Sequence, residues 1–477
     1  MIGLILTLSF IGFCSAQNQV FVYPSILEER TAIYNFVLRL NDELMLNLER
    51  SSVLADNLLF VTKRHDGHHY KMIDTTRIQQ NLYHDSHRQS SVYVTHEDGA
   101  LQVEGVINHK LRIKPLVQSE RSSDGRVLHS IYEAEEIGTS YKDAQPYEPV
   151  MSRTLQNQIY TNRLPAPRNV SKFVAEVHII SDKDHQKFFR KDVHLIEYMA
   201  ITLNAVNRIF VDMKDPAISF KLVGITRSVN DTFASPILDT VEAQETLERL
   251  VKYNRDNNIL QTSDLVYLMT SGNLARLRNV TGLDRNVAGL AYVGTVCTSH
   301  AVAEGEDIPK SYAGVNTMAH ELAHSLGAEH DPEDSSDCSW KKGFLMSYED
   351  NGNNKYRLSK CSKSNITDVV RRLRDECLDE TGNKTLHADR TTMPGDMVVR
   401  HYYCRKMLQG ISRRYFQFKQ DPDNECKLQC YYYKQNGTLE DVWYVKFDMA
   451  EGMWCGGEKT CQRGICTKTP STKTPQS

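Results

Sequence analysis

No cysteine occurs between Gln17 and Val296 of this 477-residue chain. Disulfides and thiolate metal ligands are therefore excluded from that long stretch. Beyond the first sixteen residues no run approaches the ~20 apolar residues of a membrane-spanning helix, so no membrane span is expected. Charge of one sign is also lacking: the formal net charge is -3, which gives no global attraction to nucleic acid or anionic lipid. There is no internal repeat and no Arg-Gly-Asp tripeptide to suggest integrin binding.

The start of the chain, "MIGLILTLSFIGFCSA", reads as a signal peptide over 1–16, an apolar run closed by the small residues Cys14, Ser15 and Ala16. Losing Cys14 from the eleven cysteines leaves ten, an even number suited to pairing in an oxidising compartment. Six sequons, at Asn169, Asn230, Asn279, Asn365, Asn383 and Asn436, are glycosylation candidates there. Together these features predict a secreted, extracellular protein.

The remaining cysteines divide the chain, with four from Cys297 to Cys377 and six from Cys404 to Cys466. Residues 17–168 read as strands and turns; "SVYVTHEDGALQVEGVINHKLRIKPL" alternates apolar and polar residues around the turn signal Glu97-Asp98-Gly99. The segment ends in a linker-like "NRLPAPRN" and is expected to be a β-rich, propeptide-like domain. Over 169–380 strands and helices alternate. "KFVAEVHIIS", "AISFKLVGIT" and "SDLVYLMTS" are strand-like, "NVAGLAYVGTVC" is a glycine-interrupted edge strand, and the stretches between carry apolar residues at helical spacing. That order predicts an α/β domain with a mixed, mostly parallel sheet. Residues 391–466 are expected to form a small disulfide-rich module, and 467–477 a disordered tail.

The stretch "TMAHELAHSLGAEHD", Thr317 to Asp331, carries the chemistry. On a helix His320 and His324 lie on one face and can direct ring nitrogens at one metal ion, with Glu321 between them. Gly327 allows the helix to end in a left-handed turn, after which His330 can return as a third ligand. Three neutral imidazoles suit Zn²⁺ and leave a position for water, which Glu321 can deprotonate in attack on a peptide carbonyl. The full pattern H-E-x-x-H-x-x-G-x-x-H arises by chance in such a chain with odds on the order of 1 in 10⁴.

"HELAHSLGAEHD" with the methionine of "GFLMSY", Met346, resembles the metzincin metalloproteases, and Asp331 after the third histidine points to their reprolysin (adamalysin) branch. The resemblance implies zinc on His320, His324 and His330, Glu321 as general base, a tight turn at Met346 beneath the metal, and Gly327 and Asp331 in support. It pairs Cys297 with Cys377 and Cys338 with Cys361. Two such bridges, with "MWCGGEKTCQRGIC", are similar to the relatives with thrombospondin motifs, although no Trp-rich repeat is present. "VFVYPSILEERT", "LRIKPL" and the short cysteine-rich tail resemble the tick salivary-gland reprolysins, which implies host clotting or matrix proteins as substrates. The family pattern also places calcium ligands at Glu176, Asp264, the Cys377 carbonyl and Glu380, where asparagine is usual.

A cysteine switch is excluded, so latency would need another group. His65, Asp66, His68 and His69, or His84, Asp85 and His87, are candidates beside the alternative of ordinary loop histidines. The segment 397–420 has six basic residues, Arg400, Arg405, Lys406, Arg413, Arg414 and Lys419, and no acid. It is either a solvated surface or a heparin or exosite contact. A rival reading makes the chain a receptor- or matrix-binding protein acting through its cysteine-rich module, with the protease as scaffold.

Overall fold

The computed structural model describes residues 19–468 except 31–34, 65–66, 120, 135–136, 138–165, 280–281, 334–336, 348, 350–351, 381–399, 409–414, 437–438, 450–451 and 463. The expected leader, the first half of the proline-punctuated linker, Asn383 and the tail beyond residue 468 lie outside the described residues.

The N-terminal segment builds a nine-stranded antiparallel sheet. Its centre is the hairpin read from the alternating sequence, Ser90–Glu97 with Ala100–Val106. Both turn residues, Asp98 and Gly99, have positive φ, the conformation of a tight hairpin turn that favours Asp-Gly. Leu38, Leu46, Val92, Val103 and Ile113 fill one face.

A second sheet has seven strands with helices packed on it. Lys172–Ser181, Ala217–Arg227, Leu265–Thr270 and Val302–Glu306 run parallel; Gly289–Ala291 is antiparallel at one edge. These strands are near-continuous apolar runs because helices cover them. The helix Asp192–Phe210 shows the same logic, with fourteen buried residues on several sides. It lies between the two sheets, so beyond its exposed first turn, Asp192 to His194, most of its surface is covered.

The two sheets are not independent. The strand Leu54–Arg64, from the N-terminal segment, pairs parallel with Ala217–Arg227 and carries Gly67–Asp74 beyond it, completing the catalytic sheet. Val53, Leu54, Leu58, Phe60, Ile78, Leu82 and Val106 enter the same core as the catalytic helices. Each such side chain contributes about 1.5–3 kcal/mol of burial before the entropy of ordering is subtracted. An apolar-polar alternation shows which face a strand buries, but not which sheet it joins.

Near the end of this region Ile366, Val369, Val370, Leu373 and Cys377 fall at the spacing of one helical stripe, yet the chain forms two helices. One helix runs Lys360–Val370 and a short one Asp375–Leu378. No glycine or proline marks the break. Arg168 supplies partners there: its N–H donates to the Arg371 carbonyl and its guanidinium to that of Leu373.

Cys297 is bonded to Cys377 and Cys338 to Cys361. The C-terminal module is stapled by Cys404–Cys430, Cys426–Cys461 and Cys455–Cys466 around a three-stranded and a smaller three-stranded sheet. Its last strand, Ile465–Lys468, pairs with Lys459–Gln462, so residues 467 and 468 belong to the module rather than to the tail.

Candidate metal and catalytic centre

The site helix is Val315–Ser325. It ends as the sequence demands: the Ala328 N–H donates to Ala323 and the Gly327 N–H to His324, a Schellman pair. Gly327 has φ +109, and a Cβ there would meet Val369 Cγ2 at 2.4 Å. Only glycine lets the chain turn so tightly against the following helix.

That turn brings His330 back to the helix. His330 Nε2 lies 3.2 Å from His320 Nε2 and 3.2 Å from His324 Nε2. The other ring nitrogens are occupied: His320 Nδ1 donates to the Leu345 carbonyl at 2.7 Å and His324 Nδ1 to the Ala328 carbonyl at 2.7 Å. A nitrogen facing a carbonyl must carry the proton, so the Nε2 atoms of these two rings present lone pairs. Burial lowers the His320 pKa to about 4 and takes His324 well below the usual imidazole range, the latter aided by repulsion from His330 and His320. Lone pairs converging in a buried place fit a cation, and the carbonyl partners are the outer shell that fixes metal-binding imidazoles.

Leu345, which holds His320, precedes Met346, a fully buried residue whose carbonyl accepts from the Asp331 N–H at 2.9 Å. Asp331 in turn accepts from Ser359 Oγ at 2.5 Å. Ser359 is the N-cap of the helix Lys360–Val370. The chain after His330 is thereby fixed to both the methionine turn and the next helix. Leu345, Ala328, Ser359 and Val369 were invisible in the motif, because their contributions are backbone carbonyls, a cap and a surface for Gly327.

Glu321 is buried, and burial raises its carboxyl well above the ordinary range. A Cβ on Gly289 would lie 2.7 Å from Glu321 Oε1, so the missing side chain in the edge strand makes room for this carboxylate. The glycine in "NVAGLAYVG" was the available signal.

The candidate calcium residues come together in part. Asp264 accepts from the Glu176 N–H at 2.8 Å and lies by the Cys297–Cys377 bridge. Burial, opposed by that hydrogen bond and reinforced by the Glu176 charge, pushes Asp264 up to about 7. Glu380, however, pairs with Lys172 at 3.2 Å and with Lys221 at 3.4 Å.

The N-terminal histidines are placed elsewhere. His69 lies in the strand Gly67–Asp74 at the far edge of the catalytic sheet; His65 and Asp66 are outside the described residues. His84 Nδ1 bonds Ser51 Oγ at 2.9 Å, and His87 faces Asp448 of the C-terminal module at 3.5 Å. Asn169 and Asn230 are exposed and Asn365 is half-buried.

The chain is similar in sequence to known zinc metalloproteases. Residues 172–381 match the Reprolysin (M12B) family zinc metalloprotease model. The venom metalloproteinase BumaMPs1 of Olivierus martensii is 28% identical over 374 residues, covering 76% of this chain and 92% of that protein. The venom metalloproteinase antarease TserMP_A of Tityus serrulatus is 26% identical over 331 residues, covering 64% and 81%. A disintegrin and metalloproteinase with thrombospondin motifs 7 of Mus musculus is 29% identical over 242 residues, covering 48% of this chain and 13% of that one. Among solved structures, metalloproteinase-II from Bacteroides fragilis is similar with a TM-score of 0.35 and 11% identity, covering 69% and 88% of the two chains. Residues 172–381 resemble the reprolysin zinc metalloproteases, and the chain is a metalloendopeptidase.

Proposed function

We propose that His320, His324 and His330 hold the zinc and that Glu321 is the general base. The observation carrying this is that His330 Nε2 lies 3.2 Å from both His320 Nε2 and His324 Nε2 while both helix histidines have Nδ1 tied to a carbonyl. Bound zinc supplies Lewis acidity, lowering the pKa of water and polarising the scissile carbonyl. Glu321 takes the proton of the attacking water and returns it to the departing amine; burial beside Gly289 raises its basicity for this task. The strand Gly289–Ala291 ends the sheet, so an extended substrate backbone can pair along it.

The leader, the ten paired cysteines and relatives named as venom proteins support secretion and extracellular protein substrates, host clotting or matrix proteins among them. The likeness to tick salivary-gland enzymes belongs to the same proposal. Domain limits at 17–168, 169–380 and 391–466 serve as a working division. Calcium at Glu176, Asp264, Cys377 and Glu380 has a competitor, because the ammonium groups of Lys172 and Lys221 already neutralise Glu380. For heparin or an exosite, Arg400 stacks on Trp454 at 4.2 Å and Lys419 on Tyr431 at 5.5 Å; Arg413 and Arg414 lie outside the described residues.

The test compares wild type with Glu321→Ala on extracellular proteins, with and without chelator. Loss of cleavage in both supports the enzyme reading. If Glu321→Ala keeps the full biological effect, the module-binding reading replaces it.

A further inference from the structure

The N-terminal segment binds the rest of the chain in three ways. Its strand Leu54–Arg64 is hydrogen-bonded along Ala217–Arg227, with Gly224 opposite Leu59 and Arg227 opposite Thr62. That edge is five strands from Gly289–Ala291, roughly 24 Å at the usual strand spacing. Strand addition there covers an edge remote from the active site. Behind it, Ser91 Oγ donates to the Ile201 carbonyl and Asn204 Nδ2 to Ser51 Oγ and Ser91 Oγ, all buried.

A second contact reaches the approach to the site helix. The guanidinium of Arg112, 4% exposed, donates to the Tyr312 carbonyl at 3.2 Å. Tyr312 Oη donates to Glu104 at 3.1 Å, and Tyr132 Oη to the Lys310 carbonyl at 3.4 Å. Lys310 and Tyr312 have φ +67 and +57, unfavourable for side-chain-bearing residues and kept only where surrounding contacts impose them. Two residues on, the Gly314 N–H donates to Asp307 and the site helix begins.

The third contact is with the C-terminal module. Arg88 pairs with Asp448 at 2.7 Å, Asn47 bonds Tyr403 Oη at 3.4 Å, and Met45 enters the module's own core.

We propose that residues 19–134 are a permanent part of the folded enzyme: when the chain joining them to the rest is severed, they stay bound across the seven-stranded sheet and the C-terminal module and hold the loop 307–314. This reading stands beside the expectation of a propeptide-like domain at 17–168 and differs from it in keeping the segment bound. Only the name "enzyme" rests on the zinc reading, because retention is read without activity.

The experiment places a recognition sequence for a site-specific protease between residues 150 and 156 of the full chain, cuts it, and follows both fragments by gel filtration and native mass spectrometry. At micromolar concentration in plain buffer the fragments are expected to co-elute as one particle and to part only in denaturant. Separate elution in plain buffer overturns the proposal. In the cut protein, Tyr312→Phe should lower the urea midpoint for fragment release and speed amide hydrogen exchange at 308–314 by tenfold or more. A release midpoint and exchange identical to wild type would overturn the loop contact. Because neither readout uses peptidase activity, a failed zinc assignment would appear separately, as inactive but still assembled protein.

Discussion

The three histidines of the site and His87, buried or half-buried, have opposite fates. At the site, His320, His324 and His330 face one another, and burial holds His320 and His324 low. At the junction of the N-terminal segment and the C-terminal module, burial again lowers His87. Here the hydrogen bond and charge of Asp448, with help from Asp85 and against Arg88, outweigh it and raise the pKa above its ordinary value. The difference is a carboxylate within reach. The cationic form of an imidazole is favoured beside Asp448, whereas the site imidazoles, with Nδ1 of His320 and His324 on carbonyls, keep Nε2 lone pairs for a metal.

Breaking the site group should have the largest effect. His324→Ala should abolish zinc retention and cleavage together while leaving most of the fold, checked by metal content and circular dichroism. Glu321→Ala should lower kcat by roughly 10³-fold or more, the usual weight of a positioned general base joined to metal chemistry, with zinc retained. Gly327→Ala should destabilise by about 2 kcal/mol or more, since it meets both a forbidden φ and Val369; thermal unfolding and zinc affinity should fall together.

The junction should respond more weakly and with the opposite pH logic. Arg88→Ala removes one partly exposed partner of Asp448 and should cost ~1 kcal/mol. The contribution of His87 is present below its unfolded pKa near 6.5 and is lost as pH rises through its raised folded value. Stability should therefore drop modestly from pH 6 toward 8, and His87→Gln should flatten that slope in thermal melts at several pH values.

Much of the site could be read from Thr317 to Asp331, because helical spacing and one glycine fix where three rings go. The strands of the catalytic region were equally legible from their apolar runs. What could not be read depends on partners distant in sequence. Leu54–Arg64 looks like any half-buried strand, and nothing in it names Ala217–Arg227 as neighbour. His84 and His87 resemble ligands in a linear motif, and only the arrival of Asp448 from the far end of the chain makes His87 structural. Lys221 beside Glu380 likewise alters a calcium pattern that spacing alone suggested.

The most direct test is zinc per molecule measured beside peptide cleavage for wild type, Glu321→Ala and His324→Ala. One zinc in the first two, none retained in the third, and cleavage by wild type alone is the predicted result. Cleavage by Glu321→Ala at the wild-type rate, or wild-type protein that cleaves peptides without binding zinc, would contradict the account.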